Sequence, residues 1–256
     1  MAMTAIPPAV CTLVLAWRVF EDTPIAVAAN RDERLDRPSR PPGVSGTDPR
    51  VLAPRDVEAG GTWMGVNEHR VFAGLTNRWL DTDREPERSR GLLVDAVLQA
   101  DSATAGFEML RSAVAAHTYD GFNLLVADRD RAILIEYDGT LRHREFDPGV
   151  HVVVNTGADG TYELPAVRES IARTQGRNAD RVRTTLEPEP DESAAEWLTR
   201  GKTVLGDHDY GVCIHGDGYG TVSTSLVAIG ADGTVDYRYA DGPPCRTEAR
   251  RVDNQV

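Results

Sequence analysis

Residues 11–33 have the sequence CTLVLAWRVFEDTPIAVAANRDE. The two apolar runs at 11–17 and 25–29 flank a polar turn at 21–24, a pattern that predicts a β-hairpin. A hairpin returns the end of its second strand to the start of its first. We therefore expect the polar residues 30–33, which follow the second run, to lie beside Cys11.

Short apolar runs separated by polar turns continue along most of the chain. They predict further strands at residues 62–66, 70–76, 122–127, 132–137, 141–146, 151–155, 223–229 and 235–239. Helical periodicity predicts four helices. The first lies near 88–100, and the second follows a cap at Asp101 or Ser102. The third follows Pro165 and carries Val167 and Ile171 on its apolar face, and the fourth covers 192–199. Residues 177–191, rich in arginine, glutamate and proline, are predicted to form a surface loop.

The order of these elements indicates the fold class. Hairpins and helices are grouped along the chain and do not alternate as βαβ units, so the class is α+β with mostly antiparallel sheets. Many strands and four helices would suit two stacked sheets with helices outside. No internal repeat or linker divides residues 11–256, which we predict to be a single domain.

Composition excludes several classes of function. The 256 residues carry a formal net charge of −12, which disfavours binding to nucleic acid. No apolar run is long enough to span a bilayer. Lys202 is the single lysine, a bias that fits a GC-rich genome or a salt-loving organism, and the acidity favours the latter. Cys11, Cys213 and Cys245 form no C-x-x-C pair or disulfide framework, which favours a reducing cytoplasm.

The first ten residues have no basic residue and no apolar core before a cleavage site, so they are a poor secretory signal. We interpret residues 1–10 as a short leader or a mis-assigned start. Cys11 would then begin the working protein and carry a thiol and a free α-amine on one carbon. The amine can accept the thiol proton, so one residue supplies nucleophile and base. The alternative is a small buried apolar side chain at the start of a strand.

Four short motifs give the chain a family resemblance. In chain order they are Asn30-Arg31-Asp32-Glu33 with Arg37-Pro38-Ser39, Gly60-Gly61-Thr62-Trp63-Met64-Gly65, Leu75-Thr76-Asn77 and Tyr219-Gly220-Thr221. Together they resemble the NRDE family, which includes the transport and Golgi organisation proteins of animals. That family is similar to N-terminal-nucleophile (Ntn) hydrolases of the choloylglycine hydrolase and penicillin V acylase branch.

The resemblance implies a four-layer αββα sandwich and a set of catalytic residues. Cys11 matches the nucleophile and Arg31 the arginine after the second strand. Asp32 matches a nearby aspartate, although the spacing differs, so Glu33 competes for that role. Asn77 matches the asparagine that donates to an oxyanion, and Asn155 a later asparagine at a strand end.

The same motifs suggest residues that contact substrate. We assign Asn30, Glu33, Trp63, Tyr219 and Thr221 to this group. Trp63 is also a candidate for the core, and Asn77 for a turn that caps its hairpin. Many family members carry arginine after Tyr-Gly-Thr, where this chain has Val222, which puts the clamping of an anionic substrate in doubt.

One further cluster contains residue types that bind metals. His208, Asp209, His215 and Asp217 lie among glycines, but their spacing matches no standard zinc or iron pattern. The sequence therefore predicts a polar loop that borders the pocket, with no metal and no cofactor.

Three classes of function are compatible with these features. The first is an N-terminal-cysteine hydrolase that acts on a linear amide or related acyl bond. The second is a non-catalytic carrier of haem or lipid, such as acyl-CoA, in which Cys11 ligates haem iron or lines the site. A trafficking adaptor that uses the fold as a scaffold is a third reading. The oligomeric state and the identity of the small-molecule ligand stay open.

Overall fold

The computed structural model describes residues 11–81 and 85–256. The predicted leader lies outside the described residues. The strands are β1 (Thr12–Trp17), β2 (Ile25–Arg34), β3 (Ser39–Ser45), β4 (Val51–Asp56), β5 (Met64–Asn67), β6 (Phe72–Asn77), β7 (Phe122–Ala127), β8 (Ala132–Tyr137), β9 (Leu141–Glu145), β10 (Gly149–Val154), β11 (Gly157–Ala158), β12 (Thr161–Tyr162), β13 (Tyr219–Ile229), β14 (Val235–Ala240) and β15 (Arg250–Arg251). The α-helices are α1 (Gly91–Val97), α2 (Ala103–Ala116), α3 (Glu169–Thr185) and α4 (Ala194–Gly206).

In the described part of the chain these strands form two antiparallel sheets. The first sheet has the strand order β12-β11-β10-β1-β2-β13-β14-β15, and the second has the order β3-β4-β5-β6-β7-β8-β9. The predicted hairpin is present as β1 and β2, with Leu13 opposite Ala29. Strand β13, from the far end of the sequence, pairs with the other edge of β2. The NRDE segment therefore lies in the centre of its sheet.

Three separate apolar layers define the architecture. One lies between the two sheets and includes Leu15, Val27, Phe72 and Leu134. A second packs the outer face of the first sheet against α3 and α4, and a third packs the outer face of the second sheet against α1 and α2. The predicted α+β class and the four-layer αββα sandwich are confirmed.

Alternation along β1 shows how one strand serves two layers. Leu13 and Leu15 enter the core between the sheets, whereas Val14 and Ala16 face the helices. Successive side chains of a strand point to opposite faces, so a strand covered on both sides is apolar throughout. Each fully buried leucine or valine contributes about 1.5–3 kcal/mol to the free energy of unfolding.

The predicted cap at Ser102 is present, because its hydroxyl accepts a hydrogen bond from the Ala105 N–H. The predicted loop at 177–191 is wrong in its first half, since α3 continues to Thr185. The buried face of α3 includes Gln175, Gly176 and Ala179, whose apolar signal is too weak to predict that the helix continues past residue 177. Val167 and Ile171 were expected on the apolar face of this helix, but both side chains are exposed.

The second strand is also longer than predicted. Asn30–Glu33 was expected to follow β2 as a separate polar stretch, but it pairs with β13 as far as Arg34. The register shifts between Thr221 and Ser223, so Val222 occupies a β-bulge. Strands β3 and β4 were not predicted, and the edge strand β3 contains two prolines, which sheets tolerate only at edges or bulges. No helix in residues 11–81 or 85–256 is long and apolar enough to cross a membrane.

Candidate active site

A cavity of about 120 Å³ opens where the two sheets meet beside the start of α1. Its wall combines the start of β1, the polar half of β2, the end of β6 and part of β13. Among the predicted site residues the wall contains Cys11, Asn30, Arg31, Asp32, Glu33, Trp63 and Asn77. The fold therefore brings the first and second motifs to the same place as the third.

Cys11 lies at the start of β1 and lines this cavity. Residue 11 is half-buried, and its sulfur lies 3.8 Å from the backbone carbonyl oxygen of Asp32. Burial, followed by the negative charge of Asp32, raises the pKa of the Cys11 thiol to about 12. The thiol is therefore protonated at neutral pH, and a nucleophilic role requires a base beside it.

Asp32 is the second buried group at the cavity. Its Oδ1 accepts a 2.5 Å hydrogen bond from the Thr221 hydroxyl, but Oδ2 has no hydrogen-bond partner among the described residues. Burial raises the pKa of Asp32 well above its usual value, although the hydrogen bond from Thr221 opposes that shift. A buried carboxylate oxygen without a partner is costly, so this atom is suited to receive a cation or a donor.

Arg31 stacks on Trp63, with its guanidinium carbon 4.2 Å from the ring centroid. Its Nη2 is 3.5 Å from Oδ2 of Asp56, and the side chain is only 7% exposed. Its Nη1 is buried and has no hydrogen-bond partner within residues 11–81 and 85–256. Trp63 thus serves as a stacking surface at the cavity, and Nη1 of Arg31 is available to donate to a ligand.

Arg31 and Arg37 share their acidic neighbours, Glu33 and Asp56. The Arg37 Nε is 2.8 Å from Oδ2 of Asp56, and Glu33 lies 3.7 Å from Arg37 and 3.8 Å from Arg31. Burial of Asp56 acts against ionisation, but the hydrogen bond from the Ala59 N–H and the contacts with Arg37 lower its pKa. Glu33 therefore belongs to the charged group beside Arg31 in the cavity wall.

Asn77 is half-buried and lines the cavity at the end of β6. Asn155 is fully buried outside the cavity wall, and its amide donates a 2.8 Å hydrogen bond to the backbone oxygen of Asn77. The Asn155 carbonyl accepts a 2.9 Å hydrogen bond from Gln175 of α3. Asn155 is therefore placed to position Asn77 and does not face a ligand.

Three of the residues expected to contact substrate make other side-chain contacts or line a neighbouring groove. The Asn30 amide donates to the carbonyl oxygens of Leu205 and Val212, on the helix side of the sheet. Tyr219 and Thr221 line a neighbouring groove together with Val222. Alternation along β2 explains the position of Asn30, because its neighbours Arg31 and Ala29 face the space between the sheets.

The cavity also contains residues that the sequence did not single out. Arg90 and Ser89 line it from the start of α1, and Asp56 enters from the end of β4. The Arg90 guanidinium donates to the Gly121 carbonyl oxygen at 2.8 Å and lies 3.2 Å from Asp120. No motif marks these residues, and Asp56 reaches the site through a hairpin that the sequence did not predict.

In the structure, the two histidines of the predicted polar loop form a cluster with cysteines and not with the aspartates of that loop. His208 and His215 lie with Cys213 and Cys245, and one ligand atom of each is within 4.8 Å of those of the others. Asp209 and Asp217 are not members of this group. The cluster borders the groove that contains Tyr219 and Thr221.

Comparison with known proteins agrees with this arrangement. The family model described as Transport and Golgi organisation 2 (TANGO2) matches residues 10–239. The chain belongs to the TANGO2 family. A TANGO2 relative from Bos taurus, named Transport and Golgi organization protein 2 homolog, is 28% identical over 235 residues, covering 83% of this chain and 84% of that protein. The Homo sapiens homolog is 28% identical over 243 residues, with the same coverage.

Solved structures similar to this TANGO2-family chain share the sandwich. A variant of conjugated bile acid hydrolase from Clostridium perfringens aligns with a TM-score of 0.59 and 12% identity, over 97% of this chain and 94% of that chain. Penicillin V acylase from Agrobacterium tumefaciens aligns with a TM-score of 0.50 and 14% identity, over 90% of this chain and 83% of that chain. At such identity the likeness shows the fold alone, which is that of the Ntn hydrolases.

Proposed function

We propose that this protein is a hydrolase of a linear amide or related acyl bond, with Cys11 as an N-terminal nucleophile once the leader is absent. The supporting observation is that a thiol held in its protonated form by a raised pKa lies 3.8 Å from the backbone oxygen of Asp32, whose own buried Oδ2 has no partner among the described residues. A free α-amine on Cys11 would meet both needs. It would accept the thiol proton, and as an ammonium it would pair with Asp32.

The proposed reaction has two stages. The thiol proton moves to the α-amine as Sγ attacks the carbonyl carbon, and the Asn77 amide donates to the oxyanion. The C–N bond then breaks, the leaving amine takes the proton from the α-ammonium, and a thioester remains on Cys11. Water gives a proton to the α-amine and attacks the thioester, which releases the carboxylic acid and restores the thiol.

The environment of Arg31 suggests the class of substrate. Its buried Nη1 lacks a partner among the described residues, and its plane is fixed against Trp63. A guanidinium nitrogen that is held in a fixed plane and has no partner is suited to donate to a carboxylate oxygen. We therefore expect the preferred substrate to carry a negative charge near the scissile bond. Arg31 would then bind the anionic group of the substrate, although Val222 stands where many family members carry a second arginine.

The size of the cavity bears on the carrier alternative. The names of the curated relatives refer to transport, which favours a carrier. However, sites that enclose whole ligands usually measure about 300–1,000 Å³, and this cavity measures about 120 Å³. It accommodates a short acyl or amide group better than haem.

Hydrolysis of a panel of N-acyl amides tests this proposal, with anionic and neutral members matched in size. The enzyme should be prepared as a chain that begins at Cys11. We expect turnover of anionic members, loss of essentially all activity in Cys11→Ala, and a fall of about 10²–10³-fold in kcat for Asn77→Ala, the usual effect of removing one oxyanion donor. Full activity of Cys11→Ala would exclude the mechanism. Haem binding that depends on Cys11, without turnover of any amide, would favour the carrier.

A further inference from the structure

Two histidines and two cysteines meet on the surface beside the candidate active site. The Nε2 of His215 lies 3.6 Å from Sγ of Cys213 and 3.3 Å from Sγ of Cys245. The His208 ring packs edge-on against the His215 ring, with centroids 5.1 Å apart. One ligand atom from each of the four residues lies within 4.8 Å of the other three.

These separations match the edges of a tetrahedral metal site. With typical Zn–S and Zn–N distances of about 2.3 and 2.05 Å, a tetrahedron has S–N edges of about 3.6 Å and an S–S edge of about 3.8 Å. The two measured S–N separations are 3.6 and 3.3 Å. The other separations are within 4.8 Å, so each has to shorten by no more than about 1.5 Å to complete the tetrahedron.

Three of the four residues lie within residues 208–215, and the fourth, Cys245, lies 30 residues beyond His215. His208 lies in a short 3₁₀ turn directly after α4, and Cys213 and His215 flank Ile214 in the segment that follows. Cys245 lies in the turn after β14. Their spacing therefore matches no linear zinc motif, although the fold assembles a Cys₂His₂ set.

We propose that His208, Cys213, His215 and Cys245 bind one Zn²⁺ ion in a tetrahedral site. Two thiolates and two imidazoles are the donor set that selects zinc among common divalent metals. Two thiolates also neutralise the ion, which suits a half-exposed position. Four protein ligands leave no open position for substrate, so the site is structural and does not take part in the chemistry at Cys11. This proposal departs from the sequence-based expectation of a metal-free polar loop.

Arg246 is the group that competes with this ion. Its Nη2 lies 3.4 Å from Nδ1 of His215, a contact that requires the His215 proton on Nε2. Zinc binding through Nε2 needs the other tautomer, in which Nδ1 carries the proton. Arg246 is exposed and can turn towards solvent. We therefore expect Arg246→Gln to bind the ion more tightly than the wild type.

The zinc site would restrain residues 213–215, which are hydrogen-bonded to Thr221 through Ile214. Ile214, between two of the ligands, donates its N–H to the Thr221 hydroxyl at 2.9 Å and accepts from the Thr221 N–H at 2.9 Å. A metal ion bound by Cys213 and His215, on either side of Ile214, would restrain this segment together with the turn around Cys245. The ion would thus stabilise the folded chain without contacting the cavity.

Zinc titration of the metal-free full-length chain, followed by metal analysis, tests the proposal. We expect one zinc per chain, a Tm that rises with zinc concentration, and a cobalt complex with tetrahedral ligand-field and thiolate charge-transfer bands. Cys213→Ser, Cys245→Ser and His215→Ala should each weaken zinc binding by at least about 100-fold. Cys11→Ser and His117→Ala, which change residues outside the cluster, should bind as the wild type does.

Alkylation of the wild-type chain gives a second readout that does not depend on the folding of any variant. Zinc should protect Cys245, whose side chain is exposed, from iodoacetamide and leave the labelling of Cys11 unchanged. Three results would each overturn the proposal: equal labelling with and without zinc, a zinc content that Cys245→Ser does not change, or a Cys213–Cys245 disulfide in protein purified under reducing conditions.

Discussion

The Thr221 hydroxyl donates a 2.5 Å hydrogen bond to Oδ1 of Asp32, across the pairing of β13 with β2. The same hydroxyl accepts from the Ile214 N–H, so its proton is directed to the aspartate. This bond satisfies one oxygen of a buried carboxylate and leaves Oδ2 for a different partner. We propose that the α-amine of Cys11 is the partner of this oxygen.

The first prediction concerns the stability of Asp32→Asn. A raised carboxyl pKa in the folded chain means that stability is present below the usual pKa and is lost as pH rises through the folded value. With the leader attached, Asp32→Asn should therefore raise the free energy of unfolding by about 1–3 kcal/mol at pH 7. At pH 3 the gain should vanish. Urea unfolding at the two pH values measures the difference.

The matched control is the same substitution in a chain that begins at Cys11. There the α-ammonium pairs with Asp32, so Asp32→Asn should lower the free energy of unfolding at pH 7. Equal effects in the two chains would show that the amine and the aspartate do not interact.

The second prediction concerns pH and rate. Because burial raises the Cys11 pKa to about 12, the free thiolate is not the resting form. Activity should instead follow the α-amine, whose reference pKa is about 7.7–8.0. We expect kcat/KM to rise with pH through the amine pKa and then stay level to about pH 10. In Asp32→Asn the midpoint should move to lower pH, since the carboxylate stabilises the ammonium. A rate that keeps rising up to pH 11 would indicate that thiol ionisation controls the reaction.

The third prediction concerns Arg31. Arg31→Lys keeps the charge but loses the planar donor edge and the stacking on Trp63. We expect kcat/KM for carboxylate-bearing amides to fall about 10–100-fold, and that for neutral analogues to change less than threefold. Arg34→Lys, on the same strand but half-exposed and paired with Glu58, is the control. An equal loss for charged and neutral substrates would remove Arg31 from the clamp.

The fourth prediction separates positioning from direct catalysis at Asn155. Asn155→Ala removes the hydrogen bond to the Asn77 backbone oxygen. We expect kcat to fall about tenfold with little change in KM, because the Asn77 amide is no longer held towards the oxyanion. Gln175→Met removes the hydrogen bond to Asn155 and should give a smaller loss in the same direction. A fall of the size expected for Asn77→Ala would instead mean that Asn155 contacts substrate.

Much of the fold could be predicted from local sequence. Strands β7 and β8 have the predicted bounds because apolar runs end at polar turns on both sides. Helix α3 could not be bounded, because its buried face consists of small and polar residues whose role depends on the sheet beneath them. The edge strand β3 was missed since its prolines oppose strand formation anywhere but at an edge.

The candidate site was predictable to the extent that motifs mark it. Cys11, Arg31, Asp32 and Asn77 converge on one cavity as the resemblance implied. The orientation of Asn30 and the contacts of Asn155 depend on strand pairing, which a motif does not contain. Asp56 and Arg90 reach the cavity only through tertiary structure, so no motif indicates them. His208 and His215 stand out in the sequence, but Cys245 joins them only in the folded chain.

Mass spectrometry of the acylated enzyme tests the central claim most directly. A slowly released acyl amide is incubated with two chains, one beginning at Cys11 and one that retains Val10, and the adduct is mapped by peptide. The account predicts a thioester on Cys11 in the first chain and none in the second, because a peptide bond removes the basicity of the Cys11 nitrogen. Equal acylation of Cys11 in both chains, or of another residue in either, would contradict it.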